Sequence, residues 1–395
     1  MNNKILYLSH DGISEPIGNS QILSYIEKLS TYYNFYLVTF EKKKYFIKNK
    51  KNILSRTSKK NINWFYFYFR NSNSFFFKLL NQISLFFLSF YLILFKKIKV
   101  IHIRSYVPGI TIFFLKKLFN IKIIFDIRGF WLDERVDRLN WNKNSFKYFF
   151  IKKLENYLFK KSDIIVTLTN QSKNILIEKY QFLNKENIFV IYTSSNEDIF
   201  NISKFAKDKK YITLGYIGSI DTAYSINEVL TYVESLLKFI SNLKIKFYVS
   251  KTNQLKKIIK KYDITKENYE ISTIDSNEMP EKIKLIDFGI FNLKNNYSIK
   301  ASFPTKISEL FLSGIPIICN NFNHDIEQFL SIYQVGILTD FSISKISYDV
   351  QKIQNLHNNS TIKKNCRNVG LKYLSLNHSC KLYTQIYKKI FFNLK

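Results

Sequence analysis

Residues 302–318 have the sequence SFPTKISELFLSGIPII, which contains a helix followed by a strand. Pro304 suits a first helical turn, and Gly314 followed by Pro316 ends the helix. The apolar run at 315–319 then predicts a buried strand. A helix that leads directly into a buried strand is typical of a parallel sheet, so this stretch indicates an α/β fold.

The same alternation of short apolar runs and longer helical patterns extends through the chain. Predicted strands in the first half are 5–8, 35–40, 64–69, 100–103, 121–125, 164–168 and 189–192. Predicted strands in the second half are 211–217, 245–249, 269–272, 288–291, 315–319 and 336–338. A polar stretch, 194–210, separates the two series. We therefore predict two Rossmann-like, doubly wound domains that face each other across a cleft.

The predicted domain boundaries follow from this division. The chain has 395 residues, which is enough for two domains that each bury a core. We place the first domain at 1–200 and the second at 201–375. A C-terminal segment, 376–395, is predicted to form a helix that crosses back onto the first domain.

The charge is strongly positive and unevenly distributed. The chain carries 60 Lys and Arg against 30 Asp and Glu, a net charge of +30, and 18 of the basic residues lie in the acid-free stretch 42–125. Aromatic runs at 64–69 and 75–77 lie within that stretch. Basic residues mixed with aromatic ones favour an anionic lipid surface. Single-stranded nucleic acid, or codon bias laid over a buried strand and helix, would give the same pattern.

Two further features concern compartment and membrane. The run at 79–95 is at the lower length limit for a membrane span and contains four polar residues, which favours a buried or interfacial helix. The three cysteines are not in a CxxC spacing, which indicates a reduced compartment and no zinc site.

Lys306 and Glu309 are the strongest candidate ligand-binding residues. They are three positions apart, so they share one face of the predicted helix. The helix N-terminus and the Lys306 charge favour a phosphate, while Glu309 can accept hydrogen bonds from ribose hydroxyls. Together they predict a nucleoside diphosphate site. The alternative is an ordinary ion pair on a surface helix.

Two glycine-containing loops extend this candidate site. In the loop at 9–21, Gly18 would let the backbone approach a ligand and Asn19 or Ser20 would cap the following helix. In the loop at 215–221, the N–H groups of Gly218 and Ser219 could contact a diphosphate. The first loop lacks the GxGxxG spacing, so NAD is not indicated. The predicted donor-binding residues are Gly18, Asn19, Gly218, Ser219, Ser302, Phe303, Thr305, Lys306 and Glu309.

Charged residues at 126–137 follow an apolar strand. Asp126 and Arg128 lie at the predicted carboxyl end of that strand, where a catalytic or acceptor-orienting role fits, although a structural ion network is the alternative. The sequence has no DxD after an apolar strand and no His/Cys/Asp cluster with ligand spacing. We therefore expect no metal site.

In combination, these segments resemble glycosyltransferase family 4, whose fold is called GT-B. The resemblance covers nearly the whole chain and rests on the segments 11–21, 125–131, 215–219 and 302–316. Within the family, the chain is similar to members for polysaccharide, O-antigen and capsule biosynthesis that carry a Pro-Thr-Lys-x-x-Glu segment. Relatives have a further glutamate where this chain has Ala301 and often carry Arg and Lys after the Gly-Ser turn. This chain has neither the glutamate nor the Arg and Lys. Lys306 is therefore expected to supply the positive charge of the missing Arg and Lys.

The resemblance implies a metal-independent, retaining hexosyltransferase that needs no cofactor beyond a UDP- or GDP-sugar as co-substrate. It implies Asp126, Arg128 and Lys306 as catalytic residues, donor binding by the second domain, and acceptor binding by a membrane-facing first domain. The expected acceptor is a polyprenyl-linked glycan for cell-surface polysaccharide, and the expected location is cytoplasmic, peripheral at the inner face of the plasma membrane. Nucleic acid is not an expected partner of such an enzyme. Two alternatives remain: a non-catalytic basic protein that binds membranes or nucleic acid, and a sugar-nucleotide epimerase of the same fold.

Overall fold

The computed structural model describes residues 3–69, 75–202, 210–221 and 223–394. The chain divides into two compact units. The first consists of Met1–Tyr192 and Ser379–Lys395, and the second of Thr193–His378. Part of the predicted polar connection, residues 203–209, lies outside the described residues.

A seven-stranded parallel sheet forms the centre of the first unit. Its strands are β1 (Lys4–Ser9), β2 (Asn34–Glu41), β3 (Ile62–Tyr68), β4 (Val100–Arg104), β5 (Lys122–Asp126), β6 (Ile164–Thr167) and β7 (Ile188–Val190). The strand order is β3-β2-β1-β4-β5-β6-β7, so the direction of winding reverses between β1 and β4. Such a switch point opens a crevice at the carboxyl ends of the strands.

Helices connect these strands, as parallel pairing requires. They are α1 (Pro16–Gly18), α2 (Ser24–Leu29), α3 (Lys43–Ser58), α4 (Phe75–Phe95), α5 (Tyr106–Leu118), α6 (Trp131–Leu139), α7 (Phe146–Lys161) and α8 (Asn170–Lys179). A π-helical turn, Asn19–Leu23, joins α1 to α2, and a short 3₁₀ turn, Lys185–Asn187, precedes β7. Because β4, β5 and β6 follow one another in a single direction across the sheet, right-handed connections place α4, α5 and α7 on the same face.

The second unit repeats the architecture with a six-stranded parallel sheet. Its strands are β8 (Ile212–Ile217), β9 (Leu243–Tyr248), β10 (Tyr269–Ser272), β11 (Phe288–Phe291), β12 (Ile317–Cys319) and β13 (Gly336–Leu338). The order β10-β9-β8-β11-β12-β13 places the switch point between β8 and β11.

The helices of the second unit connect its strands and close its C-terminal end. They are α9 (Ile226–Leu237), α10 (Thr252–Ile259), α11 (Met279–Ile283), α12 (Thr305–Leu312), α13 (His324–Tyr333), α14 (Ile346–Asn358) and α15 (Ile362–Val369). Short 3₁₀ turns lie at Tyr297–Ala301 and Ile343–Lys345, and a π-helical turn lies at Gly370–Leu374.

The last helix, α16 (Leu376–Phe392), contributes its residues from Ser379 onward to the first unit. Tyr383, Ile386, Tyr387 and Ile390 are buried there. Tyr387 Oη lies 2.7 Å from His102 Nδ1 on β4, so the helix reaches the central strands of the first sheet.

All thirteen predicted strands are present, with ends within two residues of the predicted positions. The apolar side chains of the central strands are buried, as expected of strands covered on both faces, whereas the edge strands β3 and β10 are partly exposed. The prediction of two Rossmann-like domains is therefore confirmed. In the described part of the chain, α4 is the one helix long and apolar enough to cross a membrane by length and composition.

Candidate active site

Helix α12, which carries Lys306 and Glu309, follows β11, one of the two strands at the switch point of the second sheet. Pro304 adopts φ −60° and ψ 131° immediately before α12, so the helix begins at Thr305, one residue later than a proline within the first turn would place it. Its interior residues Ile307 and Leu310 are buried, which turns Lys306 and Glu309 away from the core. Both of these side chains remain partly exposed.

The Lys306 ammonium lies directly over the turn that follows β8. Gly218 has φ +121°, and a Cβ on this residue would lie only 1.6 Å from Lys306 Nζ. Lys306 Nζ is also 5.3 Å from the centre of the Tyr224 ring. The positive φ therefore favours glycine at position 218, and a side chain there would displace the Lys306 ammonium.

Lys306 and Glu309 lie near each other. Within the described ranges, neither charged group makes a hydrogen bond or an ion pair. Burial lowers the pKa of Lys306 to about 8, and Glu309 opposes this shift. Burial raises the pKa of Glu309 to about 7, and Lys306 opposes that shift. Charges held near a helix N-terminus without partners are typical of a ligand site.

The other predicted donor-binding residues of the second unit surround these two. The carbonyl of Ser302 accepts a hydrogen bond from Asn323 Nδ2 at 2.8 Å, and the carbonyl of Phe303 accepts one from Thr193 Oγ1 at 2.6 Å. These bonds fix the backbone immediately before α12. The structure thus brings Ser302, Phe303, Thr305, Lys306 and Glu309 together.

The Gly218 turn differs from its prediction in one respect. The Gly218 N–H donates to the Tyr248 carbonyl at 2.9 Å, so it extends the sheet and is not available to a diphosphate. In the described residues, the Ser219 N–H has no such partner and remains a candidate donor. The turn also holds Asp221, which forms an ion pair with Lys251 from the loop after β9.

Sequence reasoning missed Lys251. Lys251 follows β9, whereas the Gly218 turn follows β8. The two strands are neighbours in the sheet, which brings Lys251 to the turn. Lys251 is therefore a second cation near the Gly218 turn. No spacing in the sequence indicates this contact.

The predicted cap of the first loop is wrong. The helical turns begin at Pro16, and Glu15 occupies the cap position. The Asn19 N–H donates to the Glu15 carbonyl at 2.8 Å, and the Asn19 side chain accepts a hydrogen bond from Arg56 at 3.1 Å. Proline at the first helical position explains the earlier start. A role of Asn19 in donor binding stays a prediction.

Gly18 lies against the backbone of Gly12 in the same loop. A Cβ on Gly18 would lie 1.9 Å from the carbonyl oxygen of Gly12, so this close contact already requires glycine. The loop between them is held by Glu41, whose carboxylate accepts from the N–H groups of Ile13 and Ser14 at 2.9 and 3.0 Å. Glu41 was not among the predicted residues. Donor binding by Gly18 likewise stays a prediction.

A buried charged cluster occupies the switch point of the first sheet. Ser9, Arg104 and Asp126 are register partners at the carboxyl ends of β1, β4 and β5. Arg104 Nη1 and Arg128 Nη1 lie 3.7 and 3.8 Å from Asp126 Oδ2. Tyr383 of α16 donates to the same oxygen at 3.0 Å. The structure thus brings Asp126 and Arg128 together and adds partners from two other elements, β4 and α16.

The electrostatics of this cluster favour an ionised carboxylate. Burial alone would raise the pKa of Asp126, but Arg128, His102 and Arg104 outweigh it and lower the pKa to about 2. Burial also lowers the pKa of His102, which therefore contributes little positive charge near neutral pH. The cluster consequently has two guanidinium groups and one carboxylate.

Several polar atoms of this cluster are buried without hydrogen bonds. In the described part of the chain, these are His102 Nε2, Arg104 Nε and Asp126 Oδ1. The backbone nearby is unusual, with φ +68° at Ser105, +55° at Arg128 and +134° at Gly129. Strained backbone and unsatisfied buried groups often mark functional sites.

His102 and Arg104 were missed as site residues. The signal was present in the β4 sequence VIHIR, where two polar residues alternate with apolar ones in an otherwise buried strand. Among the described residues, no group of three or more His, Cys, Asp and Glu side chains has a geometry that could hold a metal ion.

Comparisons of sequence and of structure both find similarity to glycosyltransferases. The model of Glycosyltransferase Family 4 matches residues 37–197. An uncharacterized glycosyltransferase of Methanocaldococcus jannaschii is 24% identical over 262 residues, which is 63% of this chain. The chain likewise spans 63% of the length of that relative.

Two solved structures cover nearly the entire chain. A glycosyltransferase of Rickettsia africae superimposes with a TM-score of 0.71 at 17% identity and covers 99% of both chains. The Anabaena protein HepE, solved in complex with UDP and glucose, has a TM-score of 0.71 at 10% identity over 97% of this chain and 99% of its own. The chain thus has the GT-B fold, and part of its first unit is similar in sequence to Glycosyltransferase Family 4.

Proposed function

We propose that this chain is a glycosyltransferase of family 4 that moves a sugar from a nucleoside-diphosphate sugar to a glycan acceptor. One observation carries the proposal. Lys306 and Glu309 are held at the start of α12 beside the Gly218 turn, and within the described residues neither has a polar partner. A diphosphate would supply the anion for Lys306, and a ribose would supply hydroxyl groups for Glu309.

The chemistry follows from these charges. An acceptor hydroxyl forms a bond to the anomeric carbon, the bond from that carbon to the diphosphate breaks, and the hydroxyl proton is released. Negative charge therefore grows on the diphosphate as it leaves. A fixed ammonium and the helix N-terminus stabilise this charge more in the transition state than in the ground state. Lys306 is the catalytic residue for this step, and Lys251 is a candidate for a second diphosphate contact.

Asp126 and Arg128 have different proposed roles. Asp126 is fully buried, so it acts as a positioning residue that orients Arg128 and Arg104. Arg128 is the more exposed of the two arginines and is a candidate to contact the acceptor. The excess of positive charge supports an acceptor that carries phosphate, such as a polyprenyl-linked glycan for cell-surface polysaccharide.

The remaining parts of the proposal rest on the family resemblance. They are retention of anomeric configuration, independence of a metal, no cofactor other than the nucleotide sugar, and a location at the inner face of the plasma membrane. HepE was solved with UDP and glucose, which supports UDP as the first nucleotide to test.

Calorimetric titration with UDP, GDP and their sugars tests the donor site. We expect one nucleotide series to bind, and Lys306→Ala to weaken that binding and to lower turnover by orders of magnitude with folding intact. Turnover near the wild-type value in Lys306→Ala would remove this residue from the mechanism.

Gly218→Ala provides a second variant of the same contact. Its new methyl group would displace the Lys306 ammonium, so we expect weaker nucleotide binding by at least about tenfold. Gly109→Ala is the matched control because a Cβ there meets its neighbours at 3.6 Å, an ordinary contact distance, within α5. Equal affinities of the two variants would contradict the proposed diphosphate position.

A further inference from the structure

Helix α4 buries polar residues and exposes large apolar ones, unlike an ordinary surface helix. Asn81 and Ser89 are buried, and Gln82 accepts a hydrogen bond from Thr111 on α5 at 2.5 Å. The opposite side is exposed although it is apolar. Its exposed residues are Phe76, Phe77, Leu79, Ile83, Phe87, Tyr91, Leu94 and Phe95.

The extent of this exposure is unusual for a helix in water. Only 28% of the most apolar 18 residues of α4 are buried, and Phe87 is 65% exposed. A surface helix of a protein in water turns such residues inward and its polar residues outward. The large apolar residues on the outer side of α4 indicate that the medium outside this helix is itself apolar.

The neighbouring helices continue the same surface. Phe119, immediately after α5, contacts the ring of Phe90 on α4, and α7 packs beside α5 through the Tyr157–Phe113 ring contact. Each neighbouring helix also exposes an apolar stripe. These stripes are Ile110, Phe114 and Leu118 on α5, and Phe146, Phe149 and Phe150 on α7. The exposed apolar residues of the three helices together are called the α4–α5–α7 face below.

Exposed lysines lie on or next to the same three helices. Lys78 and Lys96 lie on and just after α4, Lys117 lies on α5, and Lys147 and Lys153 lie on α7. Their side chains are exposed. No acidic residue occurs between 42 and 125, so α4 and α5 carry no negative charge that would offset these lysines.

We propose that the α4–α5–α7 face is a docking surface for an anionic lipid bilayer. The apolar stripes would enter the boundary between headgroups and acyl chains, and the exposed lysines would contact anionic headgroups. The charge favours a bilayer over a second copy of the chain, because two copies would bring like-charged lysines together. This surface is independent of the donor site in the second unit.

The packing also defines the orientation of the helix in the bilayer. Leu85, Leu92 and Ile93 bury one side of α4 within the first unit. A helix with one side covered by protein and the other exposed lies in the plane of the interface and does not cross it. The aromatic run at 64–69 is not part of this surface, since it forms β3, where Trp64 and Tyr66 pack against Phe46 of α3.

Flotation with vesicles of phosphatidylcholine, with and without phosphatidylglycerol, tests the proposal on the full chain. We expect binding to the anionic vesicles that weakens with salt. Phe87→Ser combined with Phe114→Ser should weaken binding by at least about tenfold because two inserted rings are lost. Lys78→Gln combined with Lys96→Gln should weaken it mainly at low salt.

Matched controls come from the second unit. Phe239→Ser with Ile332→Ser removes two side chains of similar exposure, and Lys256→Gln with Lys257→Gln removes two exposed charges. These variants should bind vesicles like the wild type. In Phe87→Trp, lipids brominated along their acyl chains should quench the new fluorescence.

Three results would overturn the proposal. One is the absence of binding to anionic vesicles. Another is an equal loss of binding in the α4–α5 variants and in their controls. The third is a dimer in lipid-free solution that the phenylalanine variants dissociate, which would assign the face to self-association.

Discussion

At the residue scale, Lys306 and Glu309 combine a functional arrangement with a cost to stability. Each charged group is partly removed from water without a hydrogen bond among the described residues, and burial shifts both pKa values toward the neutral forms. A nucleotide would compensate both groups at once. The pair therefore suits the proposed ligand, which has an anion and a hydroxyl-bearing ring.

The pH dependence of nucleotide binding follows from these two groups. Lys306 must be protonated to attract a diphosphate, and Glu309 must be ionised to accept from ribose. With pKa values of about 8 and about 7, affinity should be greatest between these two pH values. Above pH 8 it should fall by about tenfold per pH unit. Calorimetric titration across this range measures the profile.

Substitutions separate the two limbs of that profile. Lys306→Arg should remove the alkaline limb, because a guanidinium stays charged throughout. Glu309→Gln should remove the acid limb, because an amide does not titrate. An alkaline limb that persists in Lys306→Arg would assign the titration to another group.

At the element scale, the strands were the most predictable part of the fold. Each is a short apolar run bounded by polar residues, and burial on both faces of a parallel sheet produces that pattern directly. Helix starts were less predictable, as the first loop demonstrates. Asn is a common helix-capping residue, which favoured a start after Asn19. Proline is favoured at the first position of a helix, however, and the helical turns begin at Pro16.

The two candidate sites also differed in how far sequence could predict them. Lys306 and Glu309 lie three residues apart, so helix geometry alone places them on one face. The Asp126 cluster is different because its partners come from β4 and from Tyr383 of α16. Those contacts depend on strand order and on the path of the last helix, and no local spacing encodes either.

The loop after β1 provides a prediction at this scale. Glu41 accepts from two buried N–H groups of that loop and from Thr39 Oγ1 at 2.6 Å. Glu41→Ala would leave these donors unsatisfied, so we expect a loss of about 3 kcal/mol in the free energy of unfolding of the first unit. Denaturant unfolding measures this change.

Glu15→Gln is the control on the same loop. It removes an exposed ion pair with Lys42 at 2.7 Å, and such pairs contribute less than about 1 kcal/mol. Similar stability of the two variants would contradict the role of Glu41 as the support of this loop.

At the scale of the whole molecule, the two units have separate sheets and separate cores, so their stabilities can be measured separately. The three tryptophans, Trp64, Trp131 and Trp141, all lie in the first unit. Tryptophan fluorescence therefore reports unfolding of the first unit, whereas calorimetry reports both. The proposed nucleotide-binding groups Lys306 and Glu309 belong to the second.

A bound nucleotide should consequently stabilise one transition and not the other. At about 100 times its dissociation constant, a ligand that binds only the folded state adds about 2.7 kcal/mol to the free energy of unfolding. We expect the calorimetric transition of the second unit to move to higher temperature, and the fluorescence transition to stay in place. Lys306→Ala should abolish the calorimetric shift. A fluorescence transition that moves by an equal amount would mean that the units unfold together, or that the nucleotide is held by the first unit.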